Sequence, residues 1–201
     1  MVKFVEDGHY YVNSKGILIP SVTDLVDFHF QGTYSNVPKN ILEAKAQYGT
    51  TLHEMLQEYD EGKINLDMLH YSKIDPNLKS SLNQYAELKK RFIIYPVKQE
   101  EIVDYKEKYA GRYDKLDKDK ILWDVKTTSK KYEDKWSCQL GYYYLALGLE
   151  KEVGYVIWLP KKEKGQVILI KPWTNEQCLK GLEEYEKHIA ESESMLGLWE
   201  S

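Results

Sequence analysis

Asp114, Asp124 and Lys126 have the types and the spacing to hold a hard cation beside an ammonium group. In an extended segment Asp124 and Lys126 share one face, with Trp123 and Val125 on the other. Asp114 stands ten residues earlier, with Arg112 and Leu116 on its side of the strand. If both segments are strands joined across Lys118, the two aspartates become cross-strand neighbours. Two carboxylates that close repel each other unless a cation lies between them. Hard oxygen donors of this kind suit Mg²⁺ or Mn²⁺. An ammonium at Lys126 would orient or deprotonate a water, or stabilise charge on a phosphate. A D-x-K string alone is common, and it equally describes a surface hairpin of alternating charge. Order and spacing carry the case, because a third pair follows at once. Gln139 and Tyr143 are four residues apart and share a helical face. Together they could grip a phosphate or brace the lysine, although Tyr142, Tyr144 and Leu145 also fit a plain core helix.

These residues need elements to position them. Tyr10 to Ile19 reads as a hairpin turning at Asn13-Ser14-Lys15-Gly16. Ser21-Val22-Thr23-Asp24 is a capping box that opens a short helix to about Phe28. Gln31 to Val37, with Gly32, is a polar loop, and Pro38 opens a longer helix to about Glu61. A second long helix covers Asn77 to Phe92. Three strands follow, at Val97 to Tyr105, Tyr109 to Leu116 and Lys120 to Thr127, with Asp117-Lys118-Asp119-Lys120 as a hairpin tip. A helix from about Asp134 to Leu149 comes next, then strands at Gly154 to Leu159 and Gln166 to Lys171. Thr174-Asn175-Glu176-Gln177 caps a last helix to about Met195. The reading is an α/β (α+β) fold, a central mixed sheet flanked by helices. It is one domain over 1–201, with an N-terminal hairpin and helical section at 1–95 and the chemistry-bearing core at 96–201.

Composition narrows the classes. At 201 residues, 42% hydrophobic and 30% charged, the chain can build one sizeable core and is too apolar to be disordered. No apolar run approaches the roughly 20 residues that span a bilayer. Met1 to Tyr11 mixes charges with aromatics, so no signal peptide is expected, and a cytoplasmic location follows. Cys138 and Cys178 lack the spacing of a zinc site or a disulfide framework. Net charge is −4, yet Lys106 to Lys135 holds ten basic against seven acidic residues. A basic strip beside acids suits a polyanion and its metal, and also suits an ordinary solvated surface.

The three strings in this order resemble the RecB-like branch of the PD-(D/E)XK nucleases. Tyr109-Ala110-Gly111-Arg112-Tyr113-Asp114 is similar to that branch's YAGxxD strand. Leu122-Trp123-Asp124-Val125-Lys126-Thr127 is similar to its next strand, and Gln139-Leu140-Gly141-Tyr142-Tyr143 to the helix after it. Upstream, Tyr48 to His53 resembles the G-x-x-x-H helix in which the histidine approaches the metal. Pro20-Ser21-Val22-Thr23 resembles a segment near the start of phage-type members. The resemblance runs from Pro20 to about Leu147. It departs in having Asp124 where Glu is common, in lacking the four cysteines of iron–sulfur members, and in lacking a helicase Walker motif.

The resemblance implies a restriction-endonuclease-like core and a metal-dependent DNA exonuclease active in DNA processing or recombination. A structure- or site-specific endonuclease and an inactive DNA-binding module are the alternatives. It implies Asp114, Asp124, Lys126, Gln139 and Tyr143 as catalytic residues. His53, Glu100, Asp114, Asp124 and the Val125 carbonyl would hold Mg²⁺ or Mn²⁺. Glu100 is preferred to Glu101, which faces the opposite side. Arg112, Lys130 and Lys131 would contact DNA. A single-strand annealing or recombination protein as partner and an oligomeric state are left open, and no membrane is involved.

Overall fold

The computed structural model describes residues 1–6, 8, 10–31, 37–67 and 73–197. The loop expected at Gln31 to Val37, with Gly32, lies largely outside that set. The elements in chain order are β1 (Lys3–Val5), β2 (Tyr10–Val12), β3 (Leu18–Ile19), α1 (Val22–His29), α2 (Lys39–Asp60), α3 (Pro76–Phe92) and β4 (Pro96–Tyr105). They continue with β5 (Tyr109–Asp117), β6 (Leu122–Lys126), α4 (Glu133–Ala146), β7 (Gly154–Trp158), β8 (Gln166–Ile170) and α5 (Asn175–Gly197).

The fold is α+β. A five-stranded sheet runs in the order β4-β5-β6-β7-β8, and a separate three-stranded sheet runs β1-β2-β3. Neighbours in the large sheet are antiparallel except β6 and β7, which are parallel. A parallel pair needs a crossover, and α4 supplies it. The consequence is that β6 and β7 end at the same edge of the sheet, where Lys126 lies opposite Trp158.

Local chemistry explains the boundaries. Ser21 Oγ accepts the Asp24 N–H at 3.0 Å, and the Asp24 carboxylate accepts the Ser21 N–H at 2.7 Å, so the capping box that starts α1 is complete. Asp75 accepts the Asn77 N–H at 2.7 Å, and Pro76 takes the first turn of α3, where its missing N–H costs nothing. Between β5 and β6 the Asp117 carboxylate gathers the N–H groups of Asp119 and Ile121, both at 2.9 Å, and the Trp123 indole at 2.9 Å. Strand β1 was not anticipated from the sequence. Three residues are too few to show a period of two, and β1 forms because Lys3–Val5 pairs with β2.

Two cores sandwich the large sheet. On one side Val22 and Leu25 of α1, Leu140 and Tyr142 of α4 and Leu182 of α5 pack with Leu116, Leu122 and Val156. On the other, Leu52 and Leu56 of α2 and Leu82, Tyr85 and Leu88 of α3 pack with Trp123, Val125 and Ile157. Trp123 and Val125 thus face α2 and α3, as strand alternation requires. Cys138 and Cys178 are buried free thiols. Among the described residues no helix is long and apolar enough to cross a membrane.

Candidate metal centre

Strands β5 and β6 bring the two aspartates together. Lys115 lies opposite Trp123 and Leu116 opposite Leu122, and the same register continued sets Asp114 opposite Asp124. The Val125 N–H donates to Asp114 Oδ2 at 2.6 Å, which fixes one side of that carboxylate. Helix α2 crosses above and delivers His53. Its Nδ1 is 3.4 Å from Asp114 Oδ1 and 3.4 Å from Glu100 Oε1. Glu100 lies between Gln99, opposite Lys115, and Glu101, opposite Tyr113, so the β4–β5 register sets it across from Asp114, with a backbone φ of +50°. Glu101 instead binds Lys98 at 2.9 Å and accepts from the Tyr113 hydroxyl at 2.9 Å.

One donor atom each from His53, Glu100 and Asp114 lies within 4.8 Å of the others, close enough to share a cation. Asp124 is not one of that trio, but its charge interacts with those of Asp114 and His53. It is 4% exposed, and among the described residues neither carboxylate oxygen accepts from a backbone N–H. Its neutralising contact is Lys126 Nζ, 2.8 Å from Oδ2. Oδ1 has no hydrogen-bond partner among the described residues, which leaves it available to a cation. Three carboxylates and one imidazole match the donor preference of a hard or borderline divalent ion, and these residues fit such an ion.

The electrostatics point the same way. Burial opposes charge on His53, but the Asp114 carboxylate, helped by Glu100, raises its pKa well above the ordinary imidazole value. Burial also opposes charge on Asp114, and there the His53 imidazolium, Lys126 and the Val125 N–H win, holding it below the usual range. For Asp124 burial dominates. Lys126 offsets part of it, the Asp114 charge adds to it, and the pKa is raised.

Gln139 and Tyr143 share a face of α4. Gln139 Nε2 is 3.5 Å from the Tyr143 hydroxyl, and that hydroxyl donates to the Arg112 carbonyl at 2.8 Å. Tyr143 thus ties α4 to β5, while Gln139 lines a cleft with Lys126. Gly111 makes that docking close. A Cβ there would lie 2.7 Å from the Tyr143 ring and 2.7 Å from Val22 Cγ2. Arg112 is drawn the other way, its guanidinium 4.9 Å from the centre of the Phe4 ring, toward the small sheet. Lys130 and Lys131 are exposed in the segment after β6, and Lys131 Nζ donates to Gln166 Oε1 at 2.9 Å.

Sequence reasoning passed over a second charge cluster beside the first. Lys115 is 2% exposed and donates to Asp60 Oδ2 and Gln99 Oε1, both at 2.7 Å. Tyr85 donates to Asp60 Oδ2 at 2.7 Å, and Lys89 lies 2.5 Å from Oδ1. Asp60 follows His53 by seven residues, two helical turns, so both lie on one face of α2. That spacing was the only signal in the chain.

No protein-family model matches the chain, and no curated protein matches it. Among solved structures it is similar to one described as a crystal structure of SSO0001. Identity is 17% and the TM-score 0.40, over 82% of this chain and 72% of that one.

Proposed function

We propose that this protein is a divalent-metal-dependent deoxyribonuclease of the PD-(D/E)XK kind, in the RecB-like branch, acting as an exonuclease in DNA processing. The observation that carries the reading is the convergence of His53, Glu100 and Asp114 within 4.8 Å, beside a buried Asp124 and Lys126. A cytoplasmic site of action, in the host if the protein is phage-borne, belongs to the same reading. So does DNA as partner, with a single-strand annealing or recombination protein as a candidate companion.

Asp114, Asp124, Glu100 and His53, with the Val125 carbonyl, would hold Mg²⁺ or Mn²⁺. A bound divalent ion supplies Lewis acidity at a phosphoryl oxygen and acidifies water. The chain's own residues do the rest. Lys126 places its ammonium at the exposed rim of the carboxylates, where it orients the attacking water and meets the phosphate charge. Asp124 keeps that ammonium in place at 2.8 Å. Tyr143 stays protonated because burial pushes its pKa well above the ordinary value, so its hydroxyl remains a donor to β5. Gln139 is thereby held on the cleft side of Lys126.

The test is incubation with linear and closed-circular DNA in Mg²⁺, Mn²⁺ and EDTA, with Lys126→Ala alongside. Loss of linear DNA alone, dependent on metal and abolished in Lys126→Ala, is the expected result. Cutting of the circle replaces the exonuclease with an endonuclease. Folded protein inert on both substrates in either metal refutes the enzyme and leaves a DNA-binding module.

A further inference from the structure

The second charge cluster repeats the layout of the first. The trio draws one residue from each of three elements, His53 from α2, Glu100 from β4 and Asp114 from β5. Lys115 follows Asp114 on β5 and reaches the other two elements. It donates to Asp60 Oδ2 of α2 and to Gln99 Oε1 of β4, both at 2.7 Å. Asp60 lies seven residues after His53, and Gln99 immediately precedes Glu100. Gln99 is also the strand partner of Lys115. Both elements that bring a donor to Asp114 are therefore bonded to one buried ammonium, that of the next residue.

Stability alone does not account for this cluster. Against a well-packed apolar pair of the same volume, a buried ion pair is close to neutral or unfavourable. What directed bonds supply instead is geometry, because each holds its partners to a narrow range of distance and angle. Tyr85 of α3 donates to the same Asp60 oxygen at 2.7 Å, and Lys115 Nζ stands 5.3 Å from the centre of the Tyr85 ring. The contacts within the trio are looser. His53 Nδ1 is 3.4 Å from Asp114 Oδ1 and from Glu100 Oε1, beyond the usual N–H···O range of roughly 2.7–3.2 Å. Seven residues of helix span roughly 10 Å. The bond from Asp60 to Lys115 therefore pins α2 to β5 at a second point, and sliding or rolling of the helix would break it.

We infer that Lys115 is a positioning residue for the metal centre, whose bonds to Asp60 and Gln99 hold α2 and β4 against β5 so that His53 and Glu100 stand ready beside Asp114. The inference rests on the metal centre of the nuclease reading and adds to it a residue outside the donor set. Donors that are already in place lose less freedom when an ion binds, so the cluster acts on metal affinity. Asp60 and Gln99 share the role as the two points of attachment. Lys89 binds the other Asp60 oxygen from α3, which contributes no donor to the trio, and lies outside the role.

The experiment measures, on the full chain, Mn²⁺ affinity by calorimetry, the electron paramagnetic resonance spectrum of bound Mn²⁺, and the urea unfolding midpoint. Removing one charge strands the other, so the cluster is replaced as a unit in Asp60→Leu/Tyr85→Phe/Lys115→Met. That triple variant deletes one charge of each sign, so a change in affinity does not reflect a change in net charge. It should unfold at or above the wild-type midpoint. It should bind Mn²⁺ on the order of tenfold more weakly, with an altered spectrum. Gln99→Met, which cuts only the bond to β4, should show a smaller loss of affinity at wild-type stability. Lys89→Ala should show the reverse, a lower midpoint with wild-type affinity. A folded triple variant with wild-type affinity and spectrum overturns the inference. If the triple variant does not fold, wild-type affinity in Gln99→Met overturns it instead. Should the wild type still cut DNA in either case, the nuclease reading stands without this role for Lys115. A wild type that binds Mn²⁺, with the variants in the expected pattern, but never cuts keeps the positioning role and loses the nuclease. One that binds no Mn²⁺ loses both.

Discussion

Asp124 shows at the scale of one residue why this centre is costly to fold. Its carboxylate is buried with the Lys126 ammonium as its neutralising contact, and burial still raises its pKa. Removing the charge should relieve that strain. Asp124→Asn is expected to stabilise the metal-free protein by about 1 kcal/mol in denaturant titration, while abolishing stabilisation by Mn²⁺. An Asp124→Asn protein less stable than the wild type in EDTA would contradict this account. His29 offers a pH test away from the centre. Its Nε2 lies 3.0 Å from the Tyr142 hydroxyl, and burial lowers its pKa against a small opposing effect of Glu184. The unfolded chain therefore takes up the proton first as pH falls. The stability contributed by neutral His29 is full above the unfolded value of about 6.5 and is lost as pH falls through the lower folded value. Denaturant unfolding of wild type and His29→Gln at neutral and mildly acidic pH should show a steeper acid loss in the wild type.

At the scale of elements, α2 is tied to β5 twice by consecutive residues. Asp114 meets His53, and Lys115 meets Asp60. The second tie is buried at both ends, with side chains 3% and 1% exposed. Removing one partner strands the other charge. Asp60→Ala is expected to cost about 3–5 kcal/mol by urea unfolding, because Lys115 would be left buried and unpaired. Lys89→Ala should cost only about 1 kcal/mol, since Asp60 keeps Lys115 and Tyr85. Equal costs would mean that the two lysines share the burden evenly. On the other face α4 and α1 close on β5 at Gly111, where an added methyl meets Tyr143 and Val22 at 2.7 Å. Gly111→Ala is expected to destabilise by about 1–3 kcal/mol in the same assay. It should also push Tyr143 off the Arg112 carbonyl.

For the whole molecule, the two apolar cores on either side of the sheet are expected to fold without an ion. Metal removal should leave the far-ultraviolet circular dichroism unchanged. Mn²⁺ at a hundredfold over its dissociation constant should then add about 2.7 kcal/mol, by mass action on the folded state alone. Collapse of the spectrum in EDTA would show that the ion is part of the fold. The element order was legible in the sequence because capping boxes, Pro38, Pro76 and strand alternation are local signals. The exceptions are instructive. Strand β1 is too short to carry a period, and its pairing with β2 is a tertiary event. Strand alternation set Glu100 apart from Glu101, and the structure brings Glu100 to His53, with a positive φ that no pattern announces.

By itself the sequence determined the succession of helices and strands. It also determined that Asp114 and Asp124 would face each other if β5 and β6 paired, since spacing within a hairpin is local geometry. His53 and Glu100 were expected there only through a resemblance, and it is the tertiary structure that brings these distant groups into contact. His53 arrives from α2 and Glu100 from β4, while Lys115 is drawn into a buried cluster with Asp60. The reason is physical. Burial and low dielectric make a charge choose its partners in space, and contacts between residues 47 or 55 positions apart leave no periodic trace along the chain.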